Sequence, residues 1–299
     1  MMEKNSNRFK NSSKRSFLLF LIVALLTSGI VFTVYVTVPK YSTKSADVYR
    51  TAGACLWGNH SKYWLQWAKR NPAPVSGLIN EEPSGMEDLA RDISRLGVHD
   101  EVELKRLASL LHKLVAKNSS VGYAQGMGHM AALVFKNFSK TDNLAETSAV
   151  LEAFFAKVER IVGAANYSEG YHEAHEQVRT ILGVLAPSYL EPEFEQVVIM
   201  FISSTLMSAF ASKFPASAAR IWSVMMAAEE TKHISAKNYM ILLAAVTLAC
   251  NKDLPSDPEL FDALEWDIDS ALIATNKIIA RIEEGELTDL NFLIKIGTE

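Results

Sequence analysis

Along most of the chain apolar residues recur at spacings of three and four, the interval that gathers them on one face of an α-helix. Leu104, Leu107, Leu110, Leu111 and Leu114 form one such stripe. Comparable faces run through 145–161, 174–185, 194–210, 216–228, 236–250, 258–264 and 268–282, and runs of alternating β-branched residues are few. Between or before the stripes lie Asn71-Pro72-Ala73-Pro74, Glu82-Pro83-Ser84-Gly85, Ala186-Pro187-Ser188, Phe214-Pro215 and Leu254-Pro255-Ser256-Asp257-Pro258. These combinations stop helices and start turns. The pattern predicts an all-α fold of many medium-length helices with short connections and no internal repeat.

Three stretches are nearly free of charge. The first, 17–38, holds 22 mostly apolar positions, enough at about 1.5 Å per residue to cross a ~30 Å hydrocarbon core. It reads as a transmembrane helix. A secretory signal peptide is the rival, with Thr27-Ser28-Gly29 as its one small-residue cleavage candidate, but the apolar region of such a peptide is usually about 7–15 residues long. The other two, 196–212 and 238–251, are shorter than a span needs, and the first is interrupted by Ser203, Ser204, Thr205 and Ser208. Both read as central helices of a globular core. The expected organisation is therefore a basic tail over 1–16, a single-pass helix over 17–38 and one helical domain over 45–299.

Composition agrees with one large core: 49% of the 299 residues are apolar. The formal charge is −4, yet the tail carries Lys4, Arg8, Lys10, Lys14 and Arg15 against Glu3, which leaves the rest of the chain at −8. An acidic body excludes a nucleic-acid footprint, which needs a basic face on the folded part. Cys55 and Cys250 are far apart and outside any metal-binding spacing, so two buried free thiols are expected. Five basic residues precede the apolar span, and Lys40, Lys44 and Arg50 follow it. By the positive-inside rule that balance favours a domain on the lumenal or external side.

Two short segments carry the candidate chemistry. Leu89-Ala90-Arg91-Asp92-Ile93-Ser94-Arg95 puts Leu89 and Asp92 on one helical face, with Arg95 nearly two turns beyond Leu89. Leu89 can anchor in the core, Asp92 can hold Arg95 or neighbouring backbone, and Arg95 can project from the helix end, which Gly97 would terminate. Alone, such an arginine is far more often a solvated surface residue or salt-bridge partner than a catalytic group. Val121-Gly122-Tyr123-Ala124-Gln125-Gly126-Met127 flanks a tyrosine and a glutamine with glycines, which permit close backbone approach and a turn into an apolar helix over 127–135. It could equally be a structural helix start. Together the segments offer an arginine and a glutamine, the two side chains that GTP hydrolysis by a small GTPase uses, one to neutralise transition-state charge and one to orient water.

The two segments resemble the IxxDxxR and YxQ motifs of TBC-domain Rab GTPase-activating proteins, with Leu89 in place of the isoleucine. The stretch from Val121 to Phe135 is similar to that family's longer pattern, as are Phe214-Pro215 and Arg220-Ile221-Trp222. The resemblance covers about 48–251, and the rest to Glu299 corresponds to the family's closing helices. It implies a single TBC-like multi-helical domain that supplies Arg95 and Gln125 in trans to a GTP-bound Rab-like GTPase. Asp92, Tyr123, Gly122, Gly126, Arg220 and Trp222 would support these fingers, Trp222 from the core and Arg220 as a bridge between helices. The activator would carry no cofactor of its own, since GTP and Mg²⁺ belong to the GTPase. The partners expected are thus a Rab-like GTPase and, through 17–38, a lipid bilayer. The localisation expected is single-pass membrane, with the domain on the cytosolic side if it acts on a Rab.

Several positions depart from the family: Leu96-Gly97-Val98 stands where Thr-Phe-Pro is frequent, Gly128 where asparagine is, Ser223 where aspartate is, and Thr205 near a frequent aromatic. They leave two alternatives open, a catalytically silent Rab-binding scaffold and a lumenal or secreted all-α protein with relic fingers. Sugars on the N-x-Ser sites at Asn59, Asn118, Asn137 or Asn166 would mark the latter. His172-Glu173-Ala174-His175-Glu176 lacks the HExxH spacing of a zinc site, and a solvated helix face is expected there. His129 is expected to be locally satisfied.

Overall fold

The computed structural model describes residues 60–74, 86–96, 98, 100–117, 122–138, 143–162, 169–231, 234–251 and 253–295, all within one compact unit, Lys44–Glu299. Among them the secondary structure is helical throughout. The α-helices are α1 His60–Arg70, α2 Met86–Ile93, α3 Glu101–Lys117, α4 Gln125–Phe138, α5 Leu144–Val162, α6 Glu169–Leu185, α7 Glu195–Leu206, α8 Ala218–Glu230, α9 Ala236–Cys250, α10 Ile268–Glu283 and α11 Phe292–Lys295. Short 3₁₀ turns occupy Pro187–Leu190, Pro192–Phe194, Pro258–Ala263 and Thr288–Leu290.

Helix starts follow the side chains that precede them. Asp100 accepts the amides of Val102 and Glu103 at 3.0 and 2.9 Å ahead of α3. Ser235 accepts that of Asn238 at 3.1 Å for α9, and Asp267 that of Ser270 at 2.9 Å for α10. Each satisfies an amide that has no partner inside the helix. At the other end of α10, Gly285 takes φ 78° and the Glu286 amide returns to the Arg281 carbonyl at 2.9 Å, closing the helix with a left-handed cap.

The core is organised around α9, whose residues from Asn238 to Leu248 are all buried. It packs against α5, α6, α7, α8 and α10. A second focus is aromatic. The ring of Trp222 on α8 stacks on Phe154 of α5 at 3.7 Å between centroids and lies 5.6 Å from Trp64 of α1. These three rings are 0% exposed, so a polar helix with two tryptophans, α1, is fixed to α5 and α8 by aromatic contact.

Three expectations need correction. Among the described residues no helix is long and apolar enough to cross a membrane. The stretch 17–38 lies outside the described residues, so the transmembrane helix, the bilayer as partner and single-pass membrane localisation find no support and are withdrawn. The two other uncharged stretches are the core helices α7 and α9, of 12 and 15 residues. Second, the stripe over 258–264 forms a 3₁₀ turn of six residues, Pro258–Ala263, rather than an α-helix; a segment this short adds few i→i+4 bonds. Third, the stripe over 194–210 is helical only to Leu206. Beyond it, Ala209 and Phe210 adopt φ of 45° and 70°, which ends the helix.

Candidate functional site

Leu89 (1% exposed) and Ile93 (8%) anchor α2 in the core, and the helix ends at Ile93. The amides of Arg95 and Leu96 then bond the carbonyls of Asp92 and Ile93 at 2.9 and 3.2 Å, a tighter turn that carries Arg95 off the helix face. Its side chain is 67% exposed, with Nη1 3.7 Å from Oδ1 of the mostly buried Asp92. That separation is a loose ion pair rather than a hydrogen bond. Gly97, expected to stop the helix, is outside the described residues.

The other oxygen of Asp92 accepts the Tyr123 hydroxyl, Oη to Oδ2, at 3.1 Å. Burial, reinforced by the Asp92 charge, drives the Tyr123 phenol well above its ordinary range, so it stays protonated and remains the donor. Tyr123 is reached through Gly122, whose φ of 70° is one that a side chain disfavours. Gln125, the first residue of α4, is exposed, and its side chain has no hydrogen-bond partner among the described residues. Asp92 thus ties the turn bearing Arg95 to the segment that leads into Gln125.

Gly126 and Gly128 seat α4 by lacking side chains. A β-carbon at Gly126 would run into the Met207 carbonyl group and come within 3.0 Å of Ser208 Cα, so the first turn of α4 touches the segment after α7 backbone to backbone. A β-carbon at Gly128 would meet the Tyr123 hydroxyl at 3.1 Å and Leu96 Cδ2 at 3.2 Å. Leu96 thus borders the space that a side chain at Gly128 would fill, so two positions that depart from the resembled pattern are neighbours. The Gly-x-Gly spacing was the available signal for this pair, and only the flank of Gln125 was read from it.

Beside these groups opens a groove of about 540 Å³, lined among others by Leu96, Val98, Glu103, His129, Ala132 and Pro215. The His129 imidazole, expected to be locally satisfied, has no hydrogen-bond partner among the described residues. Burial lowers its pKa, opposed by the Asp92 charge.

Arg220 and Trp222 sit elsewhere. Arg220 pairs with Asp269 of α10, a bridge between helices, while Trp222 is enclosed and donates Nε1–H to the Ala209 carbonyl at 2.8 Å. Ser223 accepts Trp64 Nε1–H at 2.9 Å and lies 2.9 Å from His60 Nδ1. The position expected to hold an aspartate is thus satisfied from α1. Burial and then Arg220 lower the His60 pKa, favouring a neutral ring.

Among the described residues no group of three or more His, Cys, Asp or Glu side chains could hold a metal. Cys250 is a free thiol but exposed rather than buried as expected, because it closes the end of α9, and Cys55 falls outside the described residues. A family model described as the Rab-GTPase-TBC domain matches residues 66–254, from within α1 to just beyond α9. Neither the curated proteins nor the solved structures contain a match to the chain.

Proposed function

Since the chain belongs to the Rab-GTPase-TBC domain family, we propose that it accelerates hydrolysis of GTP bound to a Rab-like small GTPase, with Arg95 and Gln125 inserted in trans. The observation that carries the reading is the Asp92 carboxylate, which joins the exposed Arg95 at 3.7 Å to Tyr123 at 3.1 Å, two residues ahead of the exposed Gln125. In this reading the Arg95 guanidinium stabilises charge on the transferred phosphoryl oxygens, and the Gln125 amide orients the attacking water. Both side chains lose solvent as the partner closes over them, which strengthens their electrostatic effect. GTP and Mg²⁺ arrive with the GTPase, and the activator contributes no cofactor.

The test is single-turnover hydrolysis by a panel of GTP-loaded Rab proteins in the presence of the full chain. An arginine finger contributes about 10³–10⁵ in rate, roughly 4–7 kcal/mol of barrier. Arg95→Ala is expected to leave less than about a hundredth of the stimulation, and Gln125→Ala to reduce it strongly. Stimulation that survives both substitutions would sink the assignment of the fingers. Tight binding of a GTP-loaded Rab with no rate effect would replace the activator with a silent scaffold.

A further inference from the structure

The segment from Met207 to Ser217, which joins α7 to α8, is fastened along its length. Ala209 and Phe210 both hold left-handed backbone, φ 45° and 70°, a conformation that a residue with a side chain disfavours. A strained turn of this kind persists only if its surroundings hold it. Trp222 supplies one hold through the bond from Nε1–H to the Ala209 carbonyl, 2.8 Å long. The indole cannot follow a moving turn, because it is fully buried and stacked on Phe154 at 3.7 Å. Ser208 and Ser212 add hydroxyl bonds to the Ser204 carbonyl at 3.0 and 2.9 Å. The Lys213 ammonium lies 3.8 Å from the ring centre of Phe261.

This fastened segment is what Gly126 touches. The contact is backbone against backbone, with the Met207 carbonyl and Ser208 Cα facing the place a Gly126 side chain would fill, so no flexible side chain lies between the turn and the start of α4. The geometry points to Trp222 as a positioning residue for Gln125. Through Ala209 it sets the shape of the joining segment, and through Gly126 that segment sets where the first turn of α4, with Gln125 on it, stands. The inference rests on the reading of Gln125 as the group that orients water. It adds that the orientation is fixed from the far side of the motif by a residue that touches neither finger.

Trp222→Phe keeps an aromatic ring in the stack and deletes the N–H. Amide hydrogen exchange on the full chain tests the coupling without any GTPase. Faster exchange is expected both in 208–211 and in 125–128, where α4 begins. Faster exchange confined to 208–211, with 125–128 as protected as in the wild type, overturns the proposal. Should Trp222→Phe fail to fold, Gly126→Ala tests the same contact from its other side: it is expected to deprotect 208–211, and unchanged protection there overturns the proposal.

With a Rab that the wild type stimulates, Trp222→Phe is expected to lower the saturating single-turnover rate roughly tenfold to a hundredfold, the scale of a misplacement of about 1 Å. The half-saturating concentration should hold. An unchanged rate, or weaker binding with the rate retained, overturns the positioning role. If the wild type stimulates no Rab, the activator reading falls, while the exchange result still decides whether Trp222 governs the start of α4.

Discussion

At the scale of single residues, the least expected feature is that two departures from the resembled pattern lie side by side. Leu96 Cδ2 occupies space 3.2 Å from where a side chain on Gly128 would begin, and the Tyr123 hydroxyl is 3.1 Å from the same point. Gly128→Asn alone should crowd both and destabilise the fold, while adding Leu96→Thr should return part of the loss. A double-mutant cycle by denaturant unfolding is expected to give a coupling of about 1 kcal/mol, within the range for residues in contact. Additive effects would mean that the two positions are independent. Sequence made each departure visible but not their pairing, because 32 positions separate them and no periodicity relates them. The Asp92 link was half legible: spacing indicated that it could hold Arg95, whereas its bond to Tyr123 joins two segments whose contact only the fold determines.

At the scale of elements, stripes of apolar residues located α3, α5, α6, α8, α9 and α10 well, since each buries one broad face or nearly all of itself. α1 carries only a short stripe, Trp64, Trp67 and Ala68, among polar residues, too brief to stand out in the sequence, and its place depends on rings contributed by α5 and α8. The end of α7 was misplaced for a related reason. No glycine announces the left-handed residues Ala209 and Phe210, which are held by a bond from Trp222 on the next helix. Start signals were more local. Ser235 caps the central helix α9 through the Asn238 amide, so Ser235→Ala is expected to lower stability by about 1 kcal/mol. Chemical denaturation should show it as a shifted midpoint at constant slope. A silent substitution would mean that another group takes over that amide.

At the scale of the whole molecule, three histidines are set against protonation. Burial lowers the pKa of His60, His129 and His175, which lie on α1, α4 and α6. A histidine whose folded pKa lies below its unfolded value of about 6.5 binds more protons when unfolded. Its stabilisation is complete above that value and is lost as pH falls through it toward the folded pKa. Thermal unfolding is therefore expected to shift to lower temperature between about pH 7 and pH 5. His60→Asn should flatten part of that slope, and an unaltered slope would assign it to other groups.

The Asp92 carboxylate has a consequence for how a partner is met. Its two oxygens serve different groups: Oδ1 faces Arg95 at 3.7 Å, while Oδ2 holds the Tyr123 hydroxyl at 3.1 Å. If Arg95 leaves this position, as the proposed role requires, Asp92 keeps the Tyr123 hydrogen bond and is not left without a polar partner. The arginine is held like a latch on its rest, loosely enough to be lifted and with nothing undone behind it.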